Sequence, residues 1–224
     1  MRTFSKSTIG LTAAALVVAG TIGITTTAAS STEVKSATSS SSSIPAPMAA
    51  VPAVKGGNTA VALDSGFMDA LKSLGLTPGV IGTATLTDGS VHFPITGGSV
   101  VYWSPKSHYR PYVQGILEHD GSGLSLTAGG TTVALTNFTI NPGNSILYGD
   151  VAVNGAVAAS QAPLFNLDGT TLKPLSMSGD NAILTGTTVH VSETAAGLLN
   201  KVFATSAVKS GLLVGVVTIT AQVK

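Results

Sequence analysis

The chain has 224 residues, of which 9% are charged and 26 are Gly, and its mean hydropathy is +0.44, so it is too apolar for a disordered protein and too rich in Gly and Thr for a helical bundle. Its 11 Lys and Arg against 10 acids give a net charge of +1; setting aside Arg2 and Lys6 leaves 9 against 10, a balance of −1 with no basic stripe for nucleic acid. The absence of cysteine excludes a disulfide framework, a thiolate metal site and a cysteine nucleophile.

Arg2 and Lys6 precede an apolar run from Thr8 to Ile24, and Thr27, Ala28 and Ala29 offer the small residues of a cleavage site. The pattern predicts a secretory signal peptide over residues 1–29, an uncleaved membrane anchor being the other reading of the same run. Residues 30–57 are Ser, Pro and Ala with few branched or aromatic side chains, too little to offset the entropy of ordering, and are predicted to be a disordered linker. Residues 58–224 form the expected domain, and roughly 165 residues suffice to bury about two-thirds of the unfolded surface without cross-links. The expected location is secreted, extracellular or cell-wall associated, with no membrane-spanning segment after cleavage.

The domain opens on an alternating strand with Val61 and Leu63, a helix-capping residue at Asp64 or Ser65, and an apolar stripe at Phe67, Leu71 and Leu74 that ends at Gly75. From Thr187 the same order returns: Val189 and Val191, the cap Ser192, a stripe of Ala195, Leu198, Leu199 and Val202, then a final strand. Ile81-Gly82 and Val214-Gly215 begin the closing strands of the two units. The expectation is a duplicated strand-helix-strand unit at the domain ends, with the last strand, Leu213 to Val223, central in a sheet and beside the first unit.

Between the two units, residues 92–112 (HFPITGGSVVYWSPKSHYRPY) hold the single Trp and three of the 4 Tyr. Tyr102, Trp103, His108, Tyr109, Arg110 and Tyr112 lie on a strand end and on a loop bounded by Pro105 and Pro111, where binding residues commonly sit. Aromatic faces stack on sugars or flat cofactors and an Arg holds a carboxylate; the same aromatics could instead plug one end of the fold. Residues 112–155 then read as a four-strand antiparallel meander. Asp120-Gly121, Gly129-Gly130 and the Asn141 to Asn144 segment supply its turns, and the apolar set changes face near Asn137, from Val133 and Leu135 to Phe138 and Ile140. The fold expected from these elements is mainly β, an antiparallel β-sandwich with two short helices.

No set of residues supplies a nucleophile, a base and oxyanion donors together, so the chain is expected not to be an enzyme. The Ser206 to Lys209 spacing lacks its companion motifs, and Asp88, Asp120 and Asp168 read as turn formers rather than metal ligands. At GILEHDGSGLSL the chain resembles the secreted actinobacterial HtaA-type domains of haem uptake, which share a Gly, His-Asp-Gly and Leu-x-Leu pattern on a β-sandwich fold. The resemblance covers about the middle third of the chain. In that family a Tyr binds the haem iron with a His beside it; here His119 falls on the motif and no Tyr can be matched. The functional expectation is a secreted or cell-surface non-enzymatic domain with a binding or structural role and no cofactor. A haem-binding module is the alternative that the resemblance implies, and a glycan-binding or adhesion module is the second alternative. A cell-wall component, a glycan or another surface protein is the expected partner.

Overall fold

The computed structural model describes residues 44–224, and the expected signal peptide and most of the expected linker lie outside them. The described residues are mainly β, with every strand pairing antiparallel and two α-helices, as the sequence predicts. The strands are β1 (Ala49–Val51), β2 (Gly56–Leu63), β3 (Thr77–Gly82), β4 (Thr85–Thr87), β5 (Ser90–Pro94), β6 (Gly97–Tyr102), β7 (Val113–Ala128), β8 (Thr131–Asn141), β9 (Ile146–Val153), β10 (Ala156–Asp168), β11 (Ser176–Ser178), β12 (Asn181–Val191) and β13 (Leu213–Gln222); the helices are α1 (Ser65–Ser73) and α2 (Glu193–Val202). They make a single 13-stranded sheet in the order β1-β6-β7-β8-β9-β10-β12-β13-β2-β5-β4, with β11 added to β12 and β3 to β7. One continuous sheet curls on itself where the sequence suggested the two separate sheets of a sandwich. Residues 44–57, placed in the linker by composition, supply β1 against β6 and the buried Val54.

The curl has a local cause. Asp120-Gly121 does not make a hairpin: β7 runs straight through it as one strand, with a bulge between His119 and Gly123 in which Gly121 takes a φ of 72°. Three backbone groups freed by the bulge find partners outside the β7–β8 ladder. Asp120 N donates to Thr96 Oγ1, Gly121 N donates to Asn137 Oδ1, and the Gly121 carbonyl accepts from Thr83 N. Asn137, itself at φ 53°, donates from Nδ2 to Asp150, whose other oxygen accepts from Ser160 Oγ and Gln161 N. Registers shift in line across β7, β8, β9 and β10, so one polar seam bends four strands together. The expected change of face at Asn137 is this corner, and it keeps Val133, Leu135, Phe138 and Ile140 all inside.

The tight turns follow their sequence signals elsewhere. Gly129-Gly130 and Asn154-Gly155 each join their strands with positive φ at both central residues, as a type I′ turn requires. Asp64 caps α1 by accepting from Phe67 N at 3.1 Å, and Ser192 caps α2 by accepting from Ala195 N at 2.9 Å. The two units therefore share their element order and capping, but not their pairing. β12 and β13 return to each other, whereas β2 sits beside β13 and β3 crosses to β7. As expected, β13 is a central strand, between β12 and β2.

Candidate functional site

Curling brings β2 and β5 opposite β7 and β8. Phe93 on β5 meets Phe138 on β8 edge to face, with centroids 5.3 Å apart. Beside this contact, Thr59 Oγ1 on β2 lies 2.7 Å from His119 Nε2 on β7, a polar pair closed inside an apolar interior. The other ring nitrogen, Nδ1, is 3.1 Å from the Phe138 carbonyl, which can only accept, so Nδ1 carries the proton and Nε2 accepts from the Thr59 hydroxyl. His119 is only 1% exposed. Burial drives its pKa down to about 4, against smaller upward pulls from the Phe138 carbonyl and from Asp120, so the imidazole is neutral at physiological pH.

Around this pair the sheet leaves a cavity of about 640 Å³, large enough for a drug-sized or cofactor-sized ligand. Its walls are mostly apolar, with Val61, Val91, Leu124, Val189 and Val217 among them. At the opposite extreme from these core residues, its lining reaches the surface segments Arg110 to Val113, Pro142 to Ser145 and Asp168 to Leu172. Of the seven residues that the sequence offers as a site, three converge here: Arg110, Tyr112 and His119 line the cavity. The Arg110 guanidinium stands over the Tyr112 ring at 5.2 Å from its centroid. The phenol of Tyr112 is raised above its ordinary pKa by burial and by Tyr102, and Arg110 opposes the shift.

The other four sit apart from the cavity wall. Trp103 is 8% exposed, its indole nitrogen donating to the Pro45 carbonyl and its ring 4.9 Å from that of Tyr109, so it anchors the segment before β1 rather than offering an open face. Tyr102 packs edge to face on Tyr112, and His108 is exposed on the loop. Sequence reasoning missed Thr59. It is the one polar residue in the inward set Thr59, Val61, Leu63, and that exception to an apolar alternation is the signal that could have found it. Among the described residues no cluster of three His, Asp or Glu could hold a metal ion, and no helix is long and apolar enough to cross a membrane.

No family model and no curated protein matches this sequence. Among solved structures, the chain is similar to the C-terminal domain of HtaA from Corynebacterium glutamicum, with a TM-score of 0.52 and 16% identity over 75% of this chain and 97% of that one. A domain-swapped dimer of a variant of that domain gives a TM-score of 0.44 at 16% identity, covering 71% of this chain and 92% of that one. The haem-binding protein HtaB from the same organism gives 0.43 at 12% identity, covering 78% and 96%. The resemblance read at GILEHDGSGLSL therefore holds at the level of the fold.

Proposed function

We propose that this chain is a non-enzymatic binding domain that takes a broad, largely apolar ligand in its interior, and that the ligand is haem. The observation that carries the reading is the cavity of about 640 Å³ onto which Arg110, Tyr112 and His119 converge. A porphyrin needs an apolar slot, a cation for its carboxylates and a donor for its iron. Val61, Val91, Val189 and Val217 offer the slot, and Arg110 offers a cation suited to bidentate pairing with a carboxylate. His119 donates Nδ1–H to the Phe138 carbonyl and accepts the Thr59 hydroxyl at Nε2, so it would reach iron only by giving up the Thr59 bond, and as it stands it is a neutral polar patch on the wall of the slot. Tyr112 offers its phenol oxygen on the cavity wall as a donor for iron. Bound haem would supply an iron centre open to such a donor. The fold likeness to the HtaA domain and the sequence resemblance to haem-uptake domains both favour this ligand. Sugar stacking has less support, because the indole of Trp103 is covered. Export and a place at the cell surface belong to the same reading and rest on the N-terminal sequence.

Hemin titrated into the purified full chain tests the proposal. The expected result is a shifted Soret band saturating at one hemin per chain, with affinity at least tenfold weaker in Tyr112→Phe and weaker in the exposed Arg110→Ala variant, which leaves the core intact. A flat titration with folded protein overturns it.

A further inference from the structure

A second chamber of about 250 Å³ lies behind the first, under α1 and alongside α2. Leu63, Val91, Leu124 and Val214 wall both cavities, so the two are separated by a single layer of aliphatic side chains. The chemistry of the second chamber is different. Ser125 is its only polar side chain, and neither a charged group nor a His, Tyr or Asn lines it, so a ligand entering it gains no hydrogen bond from a side chain other than Ser125. Its rim carries the exposed apolar residues Met68 on α1, Val80 on β3 and Leu86 on β4, which are 36%, 42% and 59% exposed.

We infer that this chamber is a binding site for an unbranched acyl chain, entered between Met68, Val80 and Leu86, with the polar head of the amphiphile left in solvent. A slot with a single side-chain hydroxyl rejects any ligand that brings several polar atoms inside, because each unpaired group costs more than its burial returns. It accepts methylenes, each contributing about 0.8 kcal/mol on burial. The exposed rim residues extend the apolar surface to the outside, where the first methylenes below the head group would lie. Met68 is the adaptable member, since an unbranched thioether can reshape an entrance. The inference stands on the second chamber alone and does not depend on the ligand of the first.

The test uses the full chain and cis-parinaric acid, a fatty acid that fluoresces when its chain leaves water. Fluorescence should rise and saturate at one equivalent. Ala70→Phe, on the inner face of α1, fills this chamber and should weaken binding at least tenfold, whereas Leu184→Phe, which narrows only the first cavity, should leave it within twofold. Both variants must melt cooperatively near the native midpoint, and the rim variant Met68→Lys, which cannot disturb the core, should also weaken binding. Loss of binding in Leu184→Phe with retention in Ala70→Phe overturns the inference, as does an absent signal. Sedimentation with phosphatidylglycerol vesicles, added as a second arm, identifies a membrane lipid as the source of the chain; binding of the free acid without sedimentation identifies a free fatty acid.

Discussion

His119 is a base held neutral by burial, and that makes the ligand-free fold sensitive to acid. Its folded pKa of about 4 lies below the unfolded value near 6.5, so between these two pH values the unfolded chain binds a proton that the native chain refuses. Stability is therefore highest above about pH 6.5 and falls as the pH drops toward 4, by about 3 kcal/mol across the window. Urea midpoints measured at pH 7 and pH 4.5 should show this fall in the native chain and a much smaller one in His119→Gln, which retains a hydrogen-bonding side chain without the titration. An equal fall in both proteins would place the acid sensitivity elsewhere. The His-Asp-Gly pattern marked His119 in the sequence, but its depth and its bond to Thr59 depend on two strands 60 residues apart, which no local pattern reports.

At the scale of elements, helix caps and type I′ turns were legible because each is written within four residues: Asp64 to Phe67, Ser192 to Ala195, Gly129-Gly130. The Asp120-Gly121 pair was misleading for a physical reason. A Gly with positive φ serves a bulge as well as a hairpin, and the choice was made by partners distant in sequence, Thr83, Thr96 and Asn137, which bond the backbone of the bulge. Gly82 is the counterpart on β3. Its φ is 61°, and a methyl group there would collide with the Gly121 carbonyl oxygen. Gly82→Ala should destabilise the domain by about 3 kcal/mol, a fall in melting midpoint of roughly 5–10 °C, because β3 must leave β7 at the bulge. Gly121→Ala meets nothing within 4 Å and carries only the backbone strain, about 1 kcal/mol. Similar midpoints for the two variants in a thermal melt would contradict the close approach.

For the whole molecule, the mainly β class, the two helices and the central place of β13 could be read from alternation and repeat order, whereas the curl of one sheet could not, since it follows from bulges aligned across four strands. The first strand was also hidden. Composition carried the linker to residue 57, yet the short β1 lies on β6, Met48 N bonds to the Tyr102 carbonyl and Trp103 holds Pro45. Because the sheet curls without closing, β6 would be an edge without β1, with its Gly97 to Tyr102 backbone unpaired on one side. The three residues of β1 thus work as a guard against copies of the chain joining edge to edge. Removing residues 1–43 should leave a monomer by size-exclusion chromatography, and removing residues 1–54 should give concentration-dependent dimers and larger species. Proteolysis that cut just past β1 would turn a protected edge into a self-assembling one.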